Sequence, residues 1–289
     1  MTESTTQDPG GVTAVVVARN RAHVIGRCLR ALALGDVGEV IVVDGRSTDG
    51  TPDEAGALGA TVVSDEGAGL AAARNLGAQI ASTKWIIYVD SDVVVEPETV
   101  RTLLDEAESG SDDAVQARLG PVDSDLSYWQ QGELWRRTIR ERPGLARAIG
   151  CQATLVRRQL VIDVRFDPLF TGAGEDGDFF VRVTEAGGRV AFSARAVAHH
   201  EDRKSLAAFL RQRVWHGRGL ARTALRQRRR YGTAAGKDGS NLGLGALGAP
   251  RFTPFSLVSV WGLGPGLAIE LASLARDPDL RGRLRGTEQ

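Results

Sequence analysis

The sequence predicts an α/β fold: a mostly parallel, Rossmann-like central sheet flanked by helices. Two patterns carry that expectation. Short continuous apolar runs rich in β-branched residues recur through the first third of the chain, as strands buried on both faces require. Segments with apolar residues at helical spacing stand between them, the alternation that builds a parallel, doubly wound sheet. Ligands of such sheets bind at the carboxyl ends of the strands, and two of these runs end in a carboxylate.

V-T-A-V-V-V-A, Val12 to Ala18, is the first buried strand, and Ala22 to Leu34 follows with helical spacing. E-V-I-V-V-D, Glu39 to Asp44, is a second strand closing on an acid. Pro52 stands at the start of a short helix, Thr51 to Leu58, where its missing N–H is tolerated. Ala60 to Ser64 is a third strand, Gly69 to Ser82 a helix and Trp85 to Val89 a fourth strand, with Asp90 at its end. The second half is less regular. Leu126 to Arg147 reads as part helix and part loop, and A-T-L-V-R-R and V-R-F-D-P as short strands or turns. Gly174 to Glu185 is an amphipathic helix with Phe179, Phe180 and Val183 on one face. Arg189 to Phe192 is a strand, followed by A-V-A-H-H.

The boundaries expected are a disordered polar tail over 1–11, a globular domain over 12–230, a glycine-rich linker over 231–250 and a C-terminal apolar helical segment with a polar tail over 251–289. Phe252 to Leu274 is long enough to span a bilayer. Pro254, Pro265, Glu270 and three glycines favour instead a helix pair that packs on the core or lies loosely on a membrane.

With 289 residues, 42% apolar and 25% charged, the composition is that of a globular protein, and the net charge of zero points to no partner. The distribution says more. From Arg203 to Arg230 there are ten arginines or lysines and no acid, which favours an anionic ligand or an anionic membrane surface. No base-stacking platform accompanies them, so nucleic acid is not expected. Cys28 and Cys151 are too few for a disulfide framework and lack metal-ligand spacing. The N-terminus has no secretory signal pattern. The expected location is cytoplasmic, at most peripheral on the inner face of the membrane.

An ionised carboxylate is costly to bury unless it is paired or binds a metal. Asp90 and Asp92 stand in the apolar stretch W-I-I-Y-V-D-S-D-V-V-V, and strand alternation sends both side chains to one side. Oxygen ligands on a strand end suit Mg²⁺ or Mn²⁺. Alone, D-x-D is as well explained by helix capping. Its context is V-D-G-R-S-T-D-G-T, a turn open to a ligand after Asp44, and G-A-G-L-A-A-A-R-N-L-G, which carries Arg74 toward phosphate or toward the strand-end acids.

The succession V-V-V-A-R-N, V-D-G-R-S-T-D-G-T, G-L-A-A-A-R-N-L-G and V-D-S-D resembles the nucleotide-binding half of family 2 glycosyltransferases with the GT-A fold. The resemblance continues through G-A-G-E-D-G-D-F-F-V-R and covers residues 12–220. It implies a nucleotide-binding half over 12–95 and an acceptor and catalytic half over 96–230. It further implies transfer of a sugar from a nucleotide-diphosphate sugar to an acceptor hydroxyl of a glycan, lipid or small molecule, with inversion and with Mn²⁺ or Mg²⁺. Asp44 then contacts base or ribose; Ala18, Asn20, Arg74, Asp90, Ser91 and Arg213 bind the nucleotide sugar; Asp90, Asp92 and His199 hold the metal. Asp176 is the base, with Glu175 orienting it or the acceptor. His199 is favoured over His200 on family position alone.

Processive relatives carry Q-x-x-R-W, whereas Gln212 is followed here by Arg213, Val214 and Trp215, which favours transfer of a single sugar. Gly45 and Arg46 stand where a second acid is common, and Arg19 where a tyrosine is common, so the nucleotide stays open among UDP, GDP and TDP. A sugar-phosphate nucleotidyltransferase needs a G-x-G-T-R-type loop after the first strand, and a dinucleotide-dependent oxidoreductase a G-x-G-x-x-G; Ala18-Arg19-Asn20 is neither. A catalytically silent binding module of the same fold would tolerate loss of the key acids, and all are present.

Overall fold

The computed structural model describes residues 11–140, 149–226 and 253–285. The expected glycine-rich linker, and the expected tail apart from Gly11, lie outside them. In chain order the first half runs β1 (Val12–Ala18), α1 (Ala22–Leu32), β2 (Glu39–Asp44), α2 (Thr51–Ala57), β3 (Thr61–Ser64), α3 (Leu70–Ile80), β4 (Trp85–Asp90), β5 (Val93–Val95) and α4 (Thr99–Gly110). The second half adds β6 (Ala114–Pro121), α5 (Tyr128–Arg140), β7 (Ala153–Arg157), α6 (Arg158–Val164), α7 (Glu175–Glu185), β8 (Val190–His200) and α8 (Leu206–Arg226). Three C-terminal helices follow: α9 (Thr253–Trp261), α10 (Leu263–Arg276) and α11 (Pro278–Arg285).

The eight strands form one mixed sheet in the order β3-β2-β1-β4-β7-β6-β8-β5. Strands β1 to β4 are parallel, and β7 joins β4 antiparallel. Alternation along β1 divides the core into two layers: Val12, Ala14 and Val16 pack with Ile25, Leu29 and Leu103, and Val15 packs with Ala71, Tyr88 and Phe179. The register sets Ala18 beside Asp44 and Val17 beside Asp90. Three strand ends thus lie level at one edge, where the sequence placed its ligand.

R-V-A-F and A-V-A-H-H are not separate: they form the single eleven-residue strand β8. The short β5 was not apparent in the sequence. Its antiparallel pairing sets Val93 opposite His200 and Val94 opposite His199.

The C-terminal helices pack by close backbone approach. A Cβ on Gly266 would stand 1.8 Å from the Val214 carbonyl oxygen, and one on Gly217 would stand 2.1 Å from that of Leu263. Glu270, 1% exposed, accepts hydrogen bonds from Arg218 Nε at 2.9 Å and Arg222 Nε at 2.6 Å. The stretch Pro254–Arg276 is apolar enough to cross a membrane by length and composition, yet these contacts tie it to α8. Gly266→Val forces α10 off α8 and is expected to cost about 3 kcal/mol, lowering Tm by about 6–10 °C. An unchanged thermal melt would refute the close packing.

Candidate active site

A cleft of about 1090 Å³ opens over the level ends of β1 and β4 and extends between α5, α7 and α8. Ala18, Arg74, Asp90, Ser91, Asp92, Glu175, Asp176 and Arg213 all line it. Asp90 ends β4, and the two-residue turn Ser91-Asp92 leads at once into β5. That brevity keeps both acids at the cleft floor.

Arg74, 4% exposed on α3, sits between the two acidic groups. Its Nη1 donates to Glu175 Oε1, and its Nη2 lies 3.3 Å from Asp90 Oδ1. Burial raises the Asp90 pKa, with Arg74 pulling it down and Asp92 pushing it further up. Glu175 is 3% exposed; burial pushes its carboxyl up to about 7, against Arg74 and with the help of Asp176. Its second oxygen has no hydrogen-bond partner among the described residues. Glu175 is therefore a buried anchor for Arg74.

Asp176 faces the other way. Gly174 opens α7 with φ +97°, a left-handed conformation that favours glycine, and a Cβ there would stand 2.8 Å from Thr223 Oγ1 on α8. From this start consecutive residues diverge, Glu175 inward and Asp176 into the cleft. Asp176 Oδ1 accepts from the Gly177 N–H at 2.7 Å. Its Oδ2 lies against Gly150, where a Cβ would come within 2.9 Å of it. Strand β7 and the residues before it thus leave room for this carboxylate.

The predicted histidine is corrected. His199 Nε2 contacts Glu96 Oε1 at 2.8 Å and its Nδ1 the Pro121 carbonyl at 3.0 Å, on the far side of β8 from the acids. His200 is the residue turned to them, with Nε2 3.6 Å from Asp92 Oδ1. Alternation along β8, locked by the pairing with β5, makes the choice. Asp202 Oδ1 contacts His200 Nδ1 at 2.8 Å, and Arg137 from α5 makes a two-pronged ion pair with Asp202. Burial works against a charged His200, but Asp202 and Asp92 together hold its pKa above the ordinary value.

These groups suit a divalent cation that brings other ligands with it. Among the described residues no three His, Cys, Asp or Glu side chains already converge on one point. Mg²⁺ and Mn²⁺ at phosphate sites need no such cage, since one or two carboxylates, water and substrate phosphate complete the shell. Asp90, Asp92 and His200 supply oxygen and imidazole donors of that kind. The Asp92 carboxylate, 8% exposed, already attracts a cation: Arg203 Nη2 lies 3.4 Å from its Oδ2.

A profile of the family described as glycosyl transferase family 2 matches residues 13–164, more than half of the chain. The chain belongs to that family. Succinoglycan biosynthesis protein ExoO of Rhizobium meliloti (strain 1021) is 33% identical over 135 residues, 43% of this chain and 38% of that protein. ExoM of the same organism is 31% identical over 192 residues, 58% of this chain and 59% of that protein. The chain therefore spans well under two thirds of either relative. Glucosyl-3-phosphoglycerate synthase from Mycobacterium tuberculosis, crystallised with Mn²⁺, UDP and glucosyl-3-phosphoglycerate, superposes with a TM-score of 0.56 at 22% identity, covering 73% of this chain and 78% of that one. S. aureus TarS superposes at 0.53 and 15% identity, covering 96% of this chain and 55% of that one. At these identities the structures establish the shared GT-A fold.

Other predicted residues of this family 2 chain have placements the sequence did not convey. Asp44 is buried below the cleft; its Oδ2 accepts from the Ser47 N–H at 2.9 Å and its Oδ1 has no partner among the described residues. Asn20 holds the same turn, its Oδ1 accepting from the Thr48 N–H at 2.8 Å, while its neighbours Arg19 and Arg21 line the cleft. Arg213 lines the cleft but donates from Nε to the Ser259 carbonyl at 3.1 Å.

The basic run over 203–230 is not the open cationic face expected from the sequence. Besides Arg203 on Asp92 and Arg213 on Ser259, Arg218 and Arg222 hold Glu270, Arg226 pairs with Asp167 and Lys204 with Asp123. Residues 227–230 lie outside the described residues.

Asp65, Asp202, Glu133, Arg136 and Arg137 also line the cleft and were missed. Asp65 had a signal: like Asp44 it is an acid at a strand end. Its oxygens accept from the Gly67 and Gly69 N–H groups at 2.8 and 3.0 Å. The α5 residues had none.

Proposed function

We propose that this family 2 glycosyltransferase moves one sugar from a nucleotide-diphosphate sugar to an acceptor hydroxyl with inversion, using Mn²⁺ or Mg²⁺. The observation that carries the reading is the opposition, in one cleft, of a cation-seeking wall (Asp90, Asp92, His200) and a carboxylate turned into open space (Asp176). The M. tuberculosis enzyme crystallised with Mn²⁺ and UDP makes UDP the first nucleotide to test. Ala18, Ser91 and Arg74 line the donor end, and we place the nucleotide there, with Asp65 beside it and Asp44 and Asn20 shaping the turn beneath.

Asp90, Asp92 and His200 would hold the divalent ion, which when bound supplies positive charge to the leaving diphosphate. Arg74 keeps Asp90 in place and adds a fixed cation beneath the donor. Arg203 and Arg213 sit on the cleft wall where charge develops as the diphosphate departs. Asp176 accepts the proton of the acceptor hydroxyl, making it nucleophilic; attack from that side displaces the diphosphate in line and inverts the anomeric carbon. Glu175 positions the start of α7 through Arg74. The absence of Q-x-x-R-W favours a single transfer. We infer a catalytic domain over 12–230 that α9 and α10 complete on one side.

The test is incubation with Mn²⁺, a panel of UDP-, GDP- and TDP-sugars and hydroxyl acceptors, with product configuration read by proton NMR. An α-linked donor should give a β-linked product; retention of configuration would contradict the mechanism. His200→Ala is expected to weaken Mn²⁺-dependent nucleotide binding about 10–100-fold, a loss typical of a perturbed metal site. His199→Ala should leave it within about twofold, because that ring faces Glu96. Calorimetric titration of both variants checks the assignment.

A further inference from the structure

Helices α9 and α10 are apolar on both sides, burying Phe255 and Leu274 against the domain yet leaving further large apolar side chains outside. The side packed on the domain carries Phe255, Ser256, Ser259, Gly262, Gly266 and Glu270, all buried. The outward side carries Leu257, Trp261, Ile269 and Leu271, exposed by 49, 78, 51 and 45%, with Pro265, Ala268 and Ala272 exposed among them. Between Thr253 and Ala275 the one charged residue is Glu270, and it points inward. A helix on a water-facing surface keeps its outward side polar. Large apolar side chains massed on one exposed stretch mark a contact surface.

The border of this surface carries an excess of positive charge. Beside the acids Asp277 and Asp279, Arg276 ends α10, and Arg281, Arg283 and Arg285 follow on α11. None of the four forms an ion pair among the described residues, whereas the arginines of α8 are largely taken up by internal partners. A neutral, apolar helical face with arginines at its margin matches an anionic bilayer, whose interior accepts the apolar side chains and whose phosphates attract the cations. A second copy of this face would cover the apolar side chains but offer the arginines no phosphate.

We propose that the outward face of α9 and α10 docks this chain on an anionic lipid bilayer, lying in the interface rather than crossing it. Leu257, Trp261, Ile269 and Leu271 enter the boundary between headgroups and acyl chains, and the α11 arginines meet lipid phosphate. Glu270, held by Arg218 and Arg222, and the glycine contacts with α8 fix the face rigidly to the domain. Ser259 and Leu263, which line the cleft, belong to these same two helices, so docking brings the cleft to within one helix diameter, ~10 Å, of the lipid surface. An acceptor carried in that surface would then be within reach, a consequence that rests on the transferase reading; the docking itself does not.

The test is flotation of the full chain with vesicles of phosphatidylcholine alone and of phosphatidylcholine mixed with phosphatidylglycerol, at low salt. The protein should float with the anionic vesicles and not with the neutral ones. Arg281→Gln and Arg285→Gln should each weaken partitioning about fivefold. The double variant L257N/I269N should abolish it while leaving the thermal melt unchanged, since both side chains face outward. Calorimetric UDP binding should be unaffected by all of these, so failure to dock and failure of the transferase reading give different results. Absence of flotation with anionic vesicles overturns the proposal, as does flotation undiminished in the double variant. A dimer in sedimentation velocity that L257N/I269N dissociates also overturns it, assigning the face to a second copy.

Discussion

Asp176→Asn is expected to lower the rate of sugar transfer about 10²–10⁴-fold while leaving nucleotide binding intact. That is about 3–5 kcal/mol of lost transition-state stabilisation. The substitution is close to isosteric. The amide oxygen keeps the acceptor role that Asp176 Oδ1 has toward the Gly177 N–H, so the start of α7 should survive. What changes is the atom beside Gly150: an amide nitrogen cannot take a proton from the acceptor. Steady-state kinetics and calorimetric UDP titration on one preparation separate the two effects. Transfer within about threefold of the parent, against the expected loss, would remove Asp176 from the role of base.

Asp92→Ala is expected to have a comparable or larger effect by another route. It should abolish metal-dependent nucleotide binding together with transfer, because on the proposed mechanism this carboxylate would hold the cation that offsets the charge of the diphosphate. The structure adds a second consequence. Asp92 attracts Arg203 and faces His200, so its removal leaves both side chains without the carboxylate they share. The variant should therefore bind UDP weakly and with no dependence on Mn²⁺, the arginine substituting poorly for the ion. Titration of UDP with and without Mn²⁺ reads this directly, and an undiminished Mn²⁺ effect would show that Asp92 is not a ligand.

Strands β1, β2 and β4 were legible because a strand buried on both faces must be apolar throughout, which is visible without neighbours. The carboxylates at their ends were legible for the converse reason: charge among apolar residues demands a compensating partner. Which of His199 and His200 faces the site was not legible. It depends on alternation in β8, whose phase is set by pairing with β5, a strand of three residues. Arg137 reaches Asp202 across 65 positions of sequence, and no local pattern on α5 announces it. Asn20 and Asp44 were singled out as nucleotide-sugar contacts, yet in the structure their side chains build the turn itself. The basic run over 203–226 misled because sequence proximity hides the acids, Glu270 and Asp167 among them, that the fold brings to it. The C-terminal segment was ambiguous for a similar reason: its apolar residues are visible in sequence, but not that they point outward.

On the proposed mechanism the strand-end acids are compatible with this fold because a divalent cation held by Asp90, Asp92 and His200 would offset their charge and that of a nucleotide diphosphate. Calorimetric titration of UDP into the full chain, in Mn²⁺ and then in excess chelator, tests it most directly. Saturable binding is expected in Mn²⁺, weakening at least tenfold when the metal is withdrawn, about 1.4 kcal/mol or more. Equal affinity under both conditions would contradict it.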